Sequence, residues 1–276
     1  MTRIRLTNDR LRWVLPVPFL IFVVGAWLIS KVENDVAVQV ARAQLHQRER
    51  HYSQALNFYE VIHENYPRSQ FADDALWEIA NIYYGNLYDI DRALLSFHRL
   101  VQEYPESVLA MDAYLKMAEI HEVELRDLPQ AITLLAQALT YSTSFDADPA
   151  IFFRMGDLHL KLSQLKQSMQ KFEIIVRRIP DDHLAYRARN RIGTICQIAG
   201  RHQESLTYFR ITARQTNCSE CRTEAHLGLI ESYEFLEEPE KAISLAESIS
   251  GQYLSIKEKQ KIIRRLRNKL EYLQAL

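Results

Sequence analysis

Eighteen consecutive positions, Trp13 to Ser30 (WVLPVPFLIFVVGAWLIS), carry no charged side chain and are bounded by Arg12 and Lys31. That length is close to what a helix needs to cross a bilayer core, so the stretch predicts a transmembrane helix. Pro16 and Pro18 fall near its start, where an interfacial backbone finds other hydrogen-bond partners. After residue 35 the apolar positions change to a helical stripe that recurs along the chain. Small residues stand at Ala55, Ala93, Ala131, Ser168, Ser205 and Ala242, with spacings of 38, 38, 37, 37 and 37. A larger apolar or aromatic residue follows four positions later at Tyr59, Phe97, Leu135, Phe172 and Phe209, with Ala246 as the small exception. Pro67, Pro105 and Pro180 come twelve positions after the first, second and fourth small residues. Each unit therefore predicts a helix whose inner face packs tightly and then stops.

A second series precedes the first by twelve or thirteen residues: Ala43, Ala80, Ala118, Gly156 and Gly193, with Ile230 departing from it. Small residues at matched heights let two antiparallel helices approach closely. The reading is therefore a helix pair repeated about six times. Leu254 to Leu276 follows as one more helix, with Ile262, Leu266, Leu270 and Leu273 on one stripe. Such a segment suits the terminal cap that a repeat array requires.

The small residue, the aromatic four positions on and the terminal Pro resemble the tetratricopeptide repeat over about residues 36–250, most fully in Phe152, Gly156, Ser168, Phe172 and Pro180. The period exceeds the family's 34 residues, and Gly85 to Asp91 is longer than the family's tight turn. Glu64-Asn65-Tyr66-Pro67-Arg68-Ser69 and Gln102-Glu103-Tyr104-Pro105-Glu106-Ser107 are near copies, with Ser69 and Ser107 suited to cap the next helix. This variant is similar to the repeats of BamD- and CpoB-like bacterial envelope proteins. The anchored layout is similar to YfgM-like proteins. The resemblance implies an all-α fold: an N-terminal transmembrane helix, then a right-handed α-solenoid of about six helix pairs, then a capping helix. The divisions are a basic tail at 1–12, the anchor at 13–30, a linker at 31–35, the repeats at 36–253 and a basic cap at 254–276.

Charge sets the orientation. Four Arg precede the apolar run, and Lys31 and Arg42 are the positive residues in the short stretch after it. By the positive-inside rule the N-terminus stays cytoplasmic and the repeats are periplasmic, held by a single-pass anchor in the inner membrane. A cleaved signal peptide is the alternative, since Val24-Gly25-Ala26 is acceptable to a signal peptidase. A net charge of −1 argues against nucleic acid as a partner.

No catalytic signature is present, so neither enzymatic activity nor a cofactor is expected. Cys218-Ser219-Glu220-Cys221 has the spacing of redox, zinc and haem motifs. Arg222 in place of His excludes haem attachment. Zinc needs further ligands, with Cys196 and His226 the near candidates in sequence. A redox pair expects a strand-to-helix turn rather than a position between two helices. In an exported domain the plain expectation is a local Cys218–Cys221 disulfide, with Cys196 a buried thiol.

The resemblance also implies that the first helices of the pairs line a groove. The corresponding positions are Asp74, Asn81 and Tyr84 in the second repeat; Asp112, Glu119 and Glu122 in the third; Asp157 in the fourth; and Glu224, Glu231 and Glu234 in the sixth. Ala150 and Leu160 are apolar members of the set, and Arg187 in the fifth repeat opposes the trend. The expectation is an acidic groove that attracts a basic or extended segment of another protein, such as a subunit of a membrane or envelope complex. Solvated helix faces are the other reading of these residues; the alternative functions are an accessory redox or metal-binding module using Cys218 and Cys221, and self-association of the array through exposed hydrophobic stripes.

Overall fold

The computed structural model describes residues 16–142, 148–249 and 254–275, and among them every regular element is helical. The chain divides into two compact units, 1–125 and 126–276.

Unit 1 contains α1 (Pro16–Arg48), α2 (Tyr52–Asn65), α3 (Ala72–Asn81), α4 (Ile90–Glu103) and α5 (Ala110–Val123). α2 packs on α1 and α3, and α4 packs on α3 and α5. The predicted register is the core register: Ala43, Ala80 and Ala118 are fully buried, as are Ala55, Ala93 and Phe97, with Tyr59 nearly so. Trp77 meets Phe97 edge to face at 5.4 Å, an arrangement that aromatic quadrupoles favour.

Three local expectations change. The 31–35 linker is helical, because α1 runs unbroken through it, with Val36 already fully buried. The lengthened second repeat is not an open loop: α3 passes into a wider π-helical stretch, Ile82–Leu87, that absorbs the additional chain. Ser69 and Ser107 do not cap α3 and α5 directly. Each hydroxyl accepts the backbone N–H two residues on, and donates to the preceding repeat: Ser69 to Glu33 at 3.2 Å and Ser107 to Asp73 at 2.6 Å. These serines therefore tie one repeat to the one before it.

Unit 2 contains α6 (Leu128–Ala138), α7 (Pro149–Lys161), α8 (Leu165–Arg178), α9 (His183–Ile198), α10 (His202–Gln215), α11 (Ser219–Phe235), α12 (Pro239–Ser248) and α13 (Ile256–Gln274). The expected third pair, α5 with α6, is thus divided between the units. Each helix from α8 to α13 packs on the one before it. Asp127, Asp148 and Asp182 accept first-turn N–H groups of α6, α7 and α9, and Ser255 with Glu258 forms a capping box on α13.

The small positions have a direct steric cause here. A Cβ on Gly156 would stand 2.7 Å from the Phe172 ring, and one on Gly193 would stand 2.6 Å from Phe209. Phe209 also presses on Gly228 of α11, where a Cβ would come within 2.4 Å. Sequence spacing pointed to Ile230 as the departing residue of the sixth repeat, while Gly228 is the residue that receives the ring.

The turn inside each pair is left-handed at Arg50, Tyr88, Arg126, Ser163, Gly200 and Glu237, each five residues before a small position of the second helix. One of the six is glycine, so the tertiary fold holds five ordinary side chains in a region L-residues avoid.

The N-terminal part of the expected membrane span, residues 13–15, lies outside the described residues. Among the described residues no helix is long and apolar enough to cross a membrane.

Candidate interaction faces

In unit 1 the expected groove residues fall into two carboxylate groups. Asp73 and Asp74 occupy the first turn of α3, where the helix dipole favours negative charge. Loss of water around Asp74, followed by repulsion from Asp73 and Glu78, raises its carboxyl above the ordinary range. Glu78 accepts a hydrogen bond from Gln47 at 3.1 Å, and Tyr59 donates to the same Gln47 at 3.0 Å. Burial, then Glu78 and Asp74, raises the Tyr59 phenol well above its usual value. Gln47, Tyr59 and Glu78 line a cleft of about 350 Å³ with Gln44 and Arg48.

The second group surrounds Tyr84. Its hydroxyl donates to Glu124 at 3.5 Å, and burial together with Glu119 and Glu124 raises it. Lys116 pairs with Glu119 at 2.9 Å. Asn81 ends α3 half-buried, Asp112 is exposed in the first turn of α5, and Glu122 is half-buried. Glu78 and Glu124 were absent from the sequence expectation, because their proximity to Tyr59 and Tyr84 comes from packing between helices.

Unit 2 departs from the expected acidic groove. Asp157 and Glu224 are bridged by Arg191, whose guanidinium reaches each at 3.1 Å, and Asn190 adds a hydrogen bond to Glu224 at 3.0 Å. Arg187 lies over the Phe153 ring, 4.6 Å from its centroid. Glu234 pairs with Arg265 of α13 at 2.7 Å. Loss of water raises the Glu231 carboxyl, opposed by Arg265 and reinforced by Glu234. With Arg265 and Ile262 of α13, Glu231 lines a cleft of about 640 Å³. The chain's own basic helix therefore already accompanies the acidic face of α11, and four of its cations are engaged. Lys269 donates to the Glu234 carbonyl at 2.6 Å and Lys259 to the Ile249 carbonyl at 2.9 Å, while Arg267 pairs with Glu247 at 3.0 Å.

The cysteines are free thiols, so the expected Cys218–Cys221 disulfide is not formed in this structure. Instead the Cys218 sulfur caps α11, accepting the Cys221 N–H at 3.1 Å. Burial pushes the Cys196 thiol up to about 11, and burial with the neighbouring Cys218 also pushes Cys221 up. Neither has the lowered pKa of a reactive thiolate. The side chain that joins the pair is His183, the first residue of α9: one ligand atom each of His183, Cys218 and Cys221 lie within 4.8 Å of one another. Cys196 and His226, the sequence-near candidates, are not in this cluster.

The comparisons with known proteins agree with this repeat geometry. Residues 74–107, from α3 through the turn after α4, match the tetratricopeptide repeat model. No curated protein matches the sequence. Among solved structures, the C-terminal part of a TPR repeat-containing protein from Cytophaga hutchinsonii is 14% identical with a TM-score of 0.66, covering 86% of this chain and 92% of that one. A tetratricopeptide repeat protein from Parabacteroides merdae is 13% identical, with a TM-score of 0.53 and 88% of each chain covered. YrrB, described as a TPR protein with an unusual peptide-binding site, is 18% identical with a TM-score of 0.51, covering 78% of this chain and 96% of that one. At these identities the likeness is one of fold, and together with the match over 74–107 it identifies the helix pairs of this chain as tetratricopeptide-type repeats.

Proposed function

We propose that this chain is a protein-interaction scaffold anchored in the bacterial inner membrane by residues 13–30, and that unit 1 presents the acidic face on which a basic or extended segment of a partner docks. The carrying observation is the pair of carboxylate groups in unit 1, Asp73–Asp74–Glu78 and Glu119–Glu124. Loss of water raises Asp74, Tyr59 and Tyr84 first and these carboxylates raise them further, so negative charge is gathered on a partly desolvated face. YrrB offers a precedent for peptide binding on this fold. The resemblance of the Tyr-Pro-x-Ser repeats and of the anchored layout in the sequence to BamD-, CpoB- and YfgM-like proteins is the ground for an envelope setting with membrane or envelope complex subunits as partners. The basic residues before the apolar run support a cytoplasmic N-terminus and periplasmic repeats. The side chains of Phe19, Ile21, Phe22 and Trp27 stand exposed along α1, and a lipid environment is what would cover them.

The test is binding of a Lys/Arg-rich unstructured peptide to the full chain at rising ionic strength. Affinity should fall steadily with salt, and Asp74→Asn with Glu119→Gln should weaken binding and flatten that dependence. Salt-independent affinity, or unchanged binding in the double variant, refutes the acidic face. Topology is tested separately: protease added to spheroplasts should digest the repeats and leave the N-terminal tail protected.

A further inference from the structure

We propose that His183, Cys218 and Cys221 form a metal site for a thiophilic divalent cation, with zinc the best fit, independently of the peptide-binding reading. Tetrahedral zinc, with bonds of about 2.3 Å to sulfur and 2.0–2.1 Å to nitrogen, places its ligand atoms roughly 3.5–3.8 Å apart. The three ligand atoms here already lie within 4.8 Å of one another, so small side-chain rotations close the set. The helices supply the preorganisation. Cys218 and Cys221 are the N-cap and third residues of α11, so one helical turn brings the two sulfurs to the same side. The Cys221 N–H, 3.1 Å from the Cys218 sulfur, holds that sulfur over the first turn of α11. His183 comes from α9, whose start is fixed by Asp182 accepting the Leu184 N–H at 2.7 Å, and its ring is exposed.

A cleft of about 550 Å³ opens beside these residues, lined by His183, Cys221, Glu220, Glu224, Arg187 and Arg191. It leaves a fourth coordination position open to water or to the Glu220 carboxylate. Of the two arginines, one is neutralised by carboxylates. Arg191 is paired with Asp157 and Glu224; Arg187, on the Phe153 ring, keeps its charge, whose repulsion of a cation the two thiolates of the bound site would offset. Two thiolates balance the charge of one divalent ion, so the bound site is neutral with water in the fourth position. Binding releases the two thiol protons and changes no oxidation state. The metal would link α9 to α11, adding a coordinate tie between consecutive repeats beside the Phe209 contact.

The experiment uses the reduced full chain in detergent, stripped with chelator and titrated with Co²⁺ and then Zn²⁺. One Co²⁺ per chain should bind with a thiolate-to-metal charge-transfer band and the intense visible bands of four-coordinate cobalt, and Zn²⁺ should abolish both. Cys218→Ser and Cys221→Ser should each weaken binding at least tenfold and reduce the charge-transfer band. His183→Ala, at an exposed position, should weaken binding while keeping that band, and Cys196→Ser and His226→Ala should change neither. Circular dichroism checks that each variant keeps its helices. Absence of a charge-transfer band overturns the site, as does undiminished binding in the Cys218→Ser/Cys221→Ser double variant. Recovery of a Cys218–Cys221 disulfide from cells by alkylation trapping also overturns it.

Discussion

Phe209 is held between two glycines on different helices, Gly193 of α9 and Gly228 of α11, at distances a Cβ cannot share. Gly228→Ala therefore forces the ring or the helix to move, and should cost about 1–3 kcal/mol, read from urea unfolding. Gly85→Ala, with nothing within 4 Å, is the control and should be close to neutral. His63 gives a second prediction at this scale. It is buried, its Nε2 accepts from Arg99, and Glu103 lies 3.3 Å away. Burial, then Arg99, lowers its pKa, against the opposing pull of Glu103 and Glu64. His98 is lowered as well, by burial and then by His121. A base lowered in the folded state is protonated more readily when unfolded. The stability tied to its neutral form is thus complete above the unfolded value of about 6.5 and is lost as pH falls below it. The urea midpoint should drop between pH 7.5 and pH 5, and His63→Gln should shrink that drop.

At the scale of the element, α13 is held by one deeply buried residue and a set of cations. Leu266 is fully buried against Ile230, Ala242 and Ala246, while the outward residues are basic. Lys259 and Lys269 donate to carbonyls at the ends of α12 and α11, where the helix dipole favours positive charge. Leu266→Ala should cost about 2–5 kcal/mol. It should also raise amide exchange in α12 and α13 ahead of α9 and α10, because stability in repeat proteins is passed between neighbours. Uniform exchange across unit 2 would show that α13 does not act as a cap. The stripe Ile262, Leu266, Leu270 and Leu273 was legible in the sequence, because helical periodicity is local. That the basic face is engaged with carbonyls and carboxylates was not, because the partners lie on other helices.

At the scale of the molecule the two units balance charge differently. In unit 1 Asp73 and Glu78 reinforce Asp74, and Glu119 of the second group is paired with Lys116, whereas Asp157, Glu224 and Glu234 of unit 2 are in ion pairs with Arg191 and Arg265. The same kind of substitution should therefore have opposite consequences. Neutralising Asp74 and Glu119 should lower affinity for a basic peptide with little effect on unfolding. Asp157→Asn with Glu224→Gln should leave affinity unchanged and lower stability modestly, on the order of 1 kcal/mol for partly exposed pairs. Isothermal titration and urea denaturation on the same two double variants check both halves.

The helical class, the repeat register and the small and aromatic core positions follow from the sequence alone, since the first and last rest on spacing within a helix and the register on the same pattern recurring every 37–38 residues. So does the uncharged stretch at 13–30. Tertiary structure decided what no local pattern encodes. It made Gly228 the receiver of the Phe209 ring, and carried α1 as one helix through residues 31–35. It gave Asp157 and Glu224 to Arg191, and brought His183 beside Cys218 and Cys221 across a gap of 35 residues between His183 and Cys218. The physical reason is common to all four: helix periodicity sets which face a residue occupies, but which charge or ring meets that face depends on the neighbouring helix packed against it.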